Sequence, residues 1–152
     1  MTDFNVTEFL STSNAETLDT QLIPFPAGEW NVQIGMDDET LQVKQGTSAS
    51  GKPWARLEIK TVAVDPSGAI KAEMKREPNL TIRMMLDVDE RGRFDGSKGK
   101  NVRMGQLLSA CGLNQPGWNF NQLKGKVVRV KVKHEIYEGT TQANVVGYST
   151  AS

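Results

Sequence analysis

An alternating stretch late in the chain constrains the fold more than any other feature. Between residues 128 and 136 every second residue is apolar or is the single histidine, and the residues between them are mostly charged. This period of two is typical of a β-strand with one buried face and one exposed face. The exposed set of this strand is Arg129, Lys131, Lys133, Glu135 and Tyr137.

Glu138 and Gly139 interrupt the alternation and predict a tight hairpin turn, because glycine adopts positive φ at little steric cost. A second strand over residues 140–147 then returns along the first. The predicted register pairs Tyr137 with Thr140, Glu135 with Gln142, Lys133 with Asn144, Lys131 with Val146, Arg129 with Tyr148, Val132 with Val145 and His134 with Ala143. One side would then carry cations, amides and two tyrosines. Such a surface suits single-stranded nucleic acid, because cations bind phosphates and rings stack on unpaired bases.

Further strands and one helix are predicted before the hairpin. Apolar side chains at helical spacing predict a helix over residues 101–111, and Gly112 supplies a stop. Residues 69–78 are expected to form a charged, mobile connection. Alternation of apolar and polar side chains predicts long strands over residues 29–36, 54–64 and 79–88, with a shorter strand over residues 41–44.

The main elements follow the order of three strands, one helix and two strands. That order is typical of the OB-fold, a small, partly open barrel that binds oligonucleotides. We therefore predict an all-β fold with one helix: a five-stranded OB-fold barrel with the helix between strands 3 and 4. Its expected limits are residues 23–149. Residues 1–22 would form an acidic, flexible arm, and residues 150–152 a short tail.

Charge is distributed unevenly along a chain whose net charge is zero. The 152 residues suit one domain. Residues 1–90 contain 8 Lys or Arg and 15 Asp or Glu, a net charge of −7, whereas residues 91–152 contain 10 and 3, a net charge of +7. This asymmetry indicates an anionic partner for the basic part. The alternative is that the two halves intermix in one fold and their charges cancel.

The composition argues against several other classes of protein. No apolar run approaches the roughly 20 residues of a membrane-spanning helix. One cysteine excludes an intramolecular disulfide and fits a reducing compartment. With one His and one Cys, the chain cannot form a tetrahedral zinc site of these residues. Asp87, Asp89 and Glu90 could suggest a metal-dependent nuclease, but acids at a strand end are usually solvated. We expect no enzymatic activity, no cofactor and no bound metal.

Four segments together resemble a family of small phage-encoded proteins, which is similar to the OB-fold single-stranded DNA-binding proteins of viral replication and recombination. The segments are GKPWARLEIK (residues 51–60), RMGQLLSACGL (residues 103–113), LKGKVVRVKVKHEIYEG (residues 123–139) and ANVVGY (residues 143–148). The resemblance covers residues 28–148. It implies a protein that coats single-stranded DNA during phage DNA replication, repair or recombination, in the cytoplasm of the infected bacterial host.

The candidate binding residues follow from the exposed faces of the predicted strands. Arg129, Lys131 and Lys133 would bind phosphates, with Arg56, Lys60 and Arg83 continuing the track on neighbouring strands. Trp54, Phe94, Tyr137 and Tyr148 would stack on bases. Alternatively, the rings close the ends of the barrel and the lysines keep an edge strand soluble.

Two further partners are compatible with the sequence. The same barrel could be a protein-interaction module that binds a replication, recombination or host protein. A domain this small could also pair as a homodimer.

Overall fold

The computed structural model describes residues 5–65 and 67–151. Most of its regular structure is one antiparallel sheet of six strands, which confirms the prediction of a mostly β fold. Residues 1–4 of the predicted arm, Pro66, and Ser152 of the predicted tail lie outside the described residues. The strands are β1 (Gly28–Ile34), β2 (Leu41–Thr47), β3 (Pro53–Asp65), β4 (Asn79–Leu86), β5 (Val127–Tyr137) and β6 (Thr140–Thr150).

The described ranges contain three α-helices rather than the single helix predicted. They are α1 (Val6–Leu10), α2 (Ser67–Met74) and α3 (Val102–Ala110), with a 3-10 helix at Phe120–Leu123. The helix α3 agrees with its predicted limits to within one residue at each end. None of the helices within these ranges combines the length and the apolar character needed to cross a membrane.

The helix α2 lies where the sequence predicted a mobile connection over residues 69–78, so that prediction is wrong. Ile70 and Met74 are four residues apart, and therefore share one face of the helix. Both are buried in the core. Burial of these two side chains stabilises a helix whose other side chains are mostly exposed. The chain leaves α2 through Lys75, which has a φ of 58°.

The strand β3 is the centre of the sheet. One of its edges pairs with β4, whereas β2 and β1 lie end to end along its other edge, opposite residues 53–59 and 61–65. On its second edge β1 pairs with β5, and β5 pairs with β6. The strands β4 and β6 come into contact. No backbone ladder joins them in the part of the chain that the structure describes. The sheet thus has six strands rather than five and stays open between β4 and β6.

The core lies on one side of the sheet and is closed by α3. Apolar side chains at alternate positions are buried along β3, along β4 as far as Met84 and along β5 as far as Val132, which confirms the period-2 assignments there. The prediction is wrong for Ile136 at the end of β5, which is exposed. The chain turns away after α3 at Gly112, whose φ is 72°, as the sequence predicted. Fully buried side chains include Leu57, Ile59, Ile82, Val128 and Val130 from the sheet and Leu107 from α3.

The β5–β6 hairpin agrees with the predicted register only near its turn. Glu138 and Gly139 have φ values of 51° and 79°, as a tight two-residue turn requires. The predicted pairs hold from Tyr137–Thr140 as far as Val132–Val145. A bulge between Lys131 and Val132 then shifts the register by one residue. β6 also continues to Thr150, so the predicted tail overlaps the strand.

Candidate nucleic-acid interface

The bulge changes the side of the sheet on which Tyr148 lies. Tyr148 pairs with the buried Val130 instead of with Arg129, because a shift of one residue exchanges the two faces of a strand. Its ring packs against the core. Burial raises the pKa of Tyr148 to about 12. The prediction that Tyr148 lies beside the cations of β5 is therefore wrong.

Phe94 belongs to a cluster of three rings. It makes edge-to-face contacts with Trp118 and Phe120, at centroid separations of 5.6 and 5.7 Å. Such contacts stabilise packing between loops. Trp118 and Phe120 pack against the core. Phe94 remains 37% exposed.

The cations of β5 form a row on the outer side of the sheet. Lys131 and Lys133 are exposed, whereas Arg129 is half-buried. Two carboxylates reduce the positive potential of this row: Glu29 of β1 lies opposite Lys131, and Glu135 follows Lys133 on the same face. Tyr137 ends the row and is 63% exposed.

The other predicted cations lie on a separate part of the sheet. Arg56 and Lys60 extend from β3 and Arg83 from β4. The strand β1 lies between β3 and β5, so Arg56 and Lys60 are not on a strand that neighbours the row of β5, and that part of the prediction is wrong. Arg83 lies on β4, which contacts β6, and it lines a cavity together with Glu135 of the β5 row.

The outer face of β2, β3 and β4 gathers cations around one carboxylate. Glu58 Oε2 is 3.2 Å from Lys44 Nζ and 3.9 Å from Arg56, and Glu58 Oε1 is 3.6 Å from Arg83. The hydrogen bond from Lys44, together with the charges of Arg56 and Arg83, holds the pKa of Glu58 below its usual range. One carboxylate cannot neutralise three cations, so this face keeps a positive excess.

Trp54 lies on the same face, two residues before Arg56 and about 7 Å from it along the strand. Its indole rests against the backbone of Gly46 in β2. A Cβ at Gly46 would lie only 2.5 Å from the ring, so the close approach requires glycine. Trp54 is half-buried, and part of the indole stays accessible beside the cations.

A groove of about 820 Å³ begins beside Arg56 and runs to the free edge of β6. We call it the arginine groove. Arg56, Arg76 and Arg83 line it, and within the described ranges no Asp or Glu does. Its other walls are residues 140–144 of β6 and a segment that precedes β1. The groove therefore presents a cationic surface with hydroxyl and amide groups, which fits a polyanion.

Two smaller cavities continue the arginine groove. One, of about 220 Å³, shares Arg83 and Asn144 with the groove and adds Arg103 from α3 and Glu135. The other, of about 450 Å³, shares Thr81 with the groove and adds Lys60 and Asp37. Lys60 is also 3.8 Å from Glu39. Both cavities share their β4 residues with the groove, and each adds one cation together with one carboxylate.

Sequence reasoning missed Arg76 and Arg103. Arg76 lay within the supposed mobile connection, and its position depends on α2. Its guanidinium donates to the carbonyl oxygens of Ile23 and Met74. Arg103 lies on α3 and donates to the Val145 carbonyl oxygen at 3.3 Å. No local pattern in the sequence distinguishes these two arginines from other charged residues.

Among the described residues, no group of three or more His, Cys, Asp or Glu side chains is arranged to hold a metal ion. The chain was also compared with known proteins. No protein-family model matches it, and the search of curated proteins finds no significant match.

Proposed function

We propose that the chain is a non-catalytic, sequence-tolerant single-stranded DNA-binding protein that acts in phage DNA replication, repair or recombination in the cytoplasm of the infected host. The arginine groove is the observation that carries this proposal. The described residues that line it include three arginines and no carboxylate. The half-buried indole of Trp54 lies two residues from Arg56 on the adjoining face. Cations that bind phosphates beside a ring that stacks on bases are the two components of such sites.

We further propose that the sheet is an open form of the OB-fold barrel. Its order supports this comparison if β1 and β2, which lie end to end along β3, count as one interrupted strand. The helix α3 then falls between the third and fourth strands. In OB-folds, ligands bind to the face of the second and third strands and to two loops beside it. The corresponding elements here are β3 and β4, residues 48–52, and the turn at Glu138 and Gly139.

In this proposal phosphates bind along the groove and bases turn toward the indole. Arg56, Arg76 and Arg83 would bind successive phosphates, and Lys44 and Lys60 would extend the path. Trp54 would stack on a base. Every base has a ring face, so stacking on Trp54 tolerates any sequence.

Salt dependence is the direct test of the proposal. With about five phosphates bound, the slope of log K against log salt for poly-dT should be near −3.5. Fluorescence titration from low to high salt measures this slope, and duplex DNA of equal length should bind more weakly. Binding without salt dependence, or without preference for single strands, would contradict the proposal. If the protein binds no nucleic acid at all, the result would favour the alternative that the barrel is a protein-interaction module. RNA oligomers measured in parallel test for discrimination at the 2′ hydroxyl.

Glu58→Gln is expected to tighten binding of poly-dT about 3- to 10-fold at low salt, because the carboxylate competes with phosphate for Lys44, Arg56 and Arg83. Fluorescence titration against the unchanged protein measures the gain. Weaker or unchanged binding by a folded variant would show that these cations do not bind phosphates.

Thermal unfolding at two pH values is the control for Glu58→Gln. Because the pKa of Glu58 is lowered on folding, its carboxylate stabilises the fold at neutral pH. That stabilisation is lost as the pH falls from 4.5 through the lowered pKa. The variant should therefore lose stability relative to the unchanged protein at pH 7, with a smaller difference in acid.

A further inference from the structure

Residues 20–25 precede β1 and run from the tip of the β5–β6 hairpin to the C-terminal end of α2. We call this segment the strap. Thr20, Gln21, Leu22, Pro24 and Phe25 line one end of the arginine groove. The strap therefore forms a wall of the groove, in the region where no backbone ladder joins β4 to β6 within the described ranges.

Hydrogen bonds between a side chain and the backbone hold the strap at three points. The Arg76 guanidinium donates to the Ile23 carbonyl oxygen. His134 Nε2 lies 2.7 Å from the Phe25 carbonyl oxygen. At the third point, the Gln21 side chain donates from Nε2 to the Gly139 carbonyl oxygen at 3.0 Å, and its Oε1 accepts from the Thr141 amide at 3.4 Å. Gln21 thus binds the backbone on both sides of Thr140, immediately after the turn.

The tip of the hairpin has little packing of its own. Ile136 is 78% exposed, and Tyr137, Glu138, Gly139 and Thr140 are exposed as well. A two-stranded ribbon that extends beyond the core is only marginally stable in water. Contacts made by a neighbouring segment therefore have a large influence on where the tip lies.

We propose that Gln21 is a positioning residue that holds the hairpin tip beside the arginine groove before nucleic acid binds. This inference rests on the proposed function, because it concerns the same groove. Residues 140–144 line the groove from β6, and Thr141, whose amide donates to Gln21, is one of them. When Gln21 holds them in place, less conformational entropy is lost on binding, and affinity rises without a new contact to the ligand.

The orientation of the amide supports this role. Gln21 has both a donor and an acceptor, and the backbone on either side of Thr140 offers one acceptor and one donor. Gln21→Ala would lose both hydrogen bonds. Gln21→Glu would place a charged acceptor against the Gly139 carbonyl oxygen. Each net hydrogen bond of this kind changes an equilibrium constant by roughly 2- to 12-fold.

The test is Gln21→Ala, with Gln106→Ala as a matched control on the exposed surface of α3. Hydrogen exchange of the free protein is measured at residues 138–142, and the dissociation rate is measured from fluorescent poly-dT. Gln21→Ala should speed exchange at these residues by about 3- to 10-fold and dissociation by a similar factor. The slope of log K against log salt should stay the same, because Gln21 carries no charge. Gln106→Ala should change none of these values.

Unchanged exchange at residues 138–142 in Gln21→Ala would overturn the inference, as would faster exchange with an unchanged dissociation rate. The proposed function fails in a different way, because the unchanged protein itself would then not bind poly-dT. Exchange at the hairpin tip is read without any ligand, so the two failures are distinguishable.

Discussion

Replacing Arg56 and Arg83 together by alanine is expected to weaken binding to poly-dT on the order of 100-fold, because each loses a charge-assisted hydrogen bond to phosphate. The slope of log K against log salt should become shallower by about 1.4. Both side chains line the arginine groove. In the proposed complex a phosphate of the ligand replaces Glu58 as the partner of each arginine. Fluorescence titration across a range of salt concentrations measures both quantities.

The matched control is Lys131→Ala with Lys133→Ala, which also removes two positive charges. These lysines lie on β5, one strand away from the free edge that borders the groove. Their loss should change affinity by less than about 3-fold, through long-range electrostatics alone. The comparison also tests the sequence-based prediction that the row of β5 binds DNA. If the lysine pair causes the larger loss, the ligand lies on β5 and the groove proposal is wrong.

Trp54→Ala should weaken single-strand binding by about 1 to 3 kcal/mol, the usual contribution of one stacked base. This corresponds to roughly a 5- to 150-fold change in Kd. The loss should be similar for homopolymers of different base, because stacking requires only a ring face. Quenching of tryptophan fluorescence in the unchanged protein, and its reduction in the variant, gives a second measurement of the same contact.

Two variants make the Trp54 result specific. Trp54→Phe keeps a ring on Gly46 and should retain part of the affinity. Tyr137→Ala removes an exposed ring at the end of the β5 row, and a smaller loss is expected because Tyr137 is not among the described residues that line the groove. An unchanged Kd for a folded Trp54→Ala protein would remove this indole from the site.

The strands and the turn of the hairpin were predictable because their signals are local. Alternation in β5 depends on adjacent residues, and the pair Glu138–Gly139 specifies its turn from two positions. The bulge at Lys131 and Val132 was not predictable, because the alternation in β6 does not indicate where one extra residue interrupts its pairing with β5. That single shift explains why Tyr148 was assigned to the wrong side.

The arginine groove was less predictable because its residues come from distant segments. Arg56, Arg76 and Arg83 belong to the half of the sequence with a net charge of −7, whereas the charge argument indicated the other half. The sheet mixes the halves, since β1 pairs with β5. Local charge sums cannot show which side chains share a cavity. Trp54, Arg56, Lys60 and Arg83 were nevertheless placed correctly on outer faces, because period-2 alternation fixes the side of each strand.

Because Gly46 has no side chain, the indole of Trp54 can lie directly against the backbone of β2. A methyl group at this position would lift or tilt the ring, and the change would be observed as a loss of affinity even though glycine has no side chain to contact a ligand. A mutational scan that measures affinity for single-stranded DNA would therefore group Gly46 with the binding residues. Gly46 would affect affinity only because the absence of a side chain leaves room for the indole.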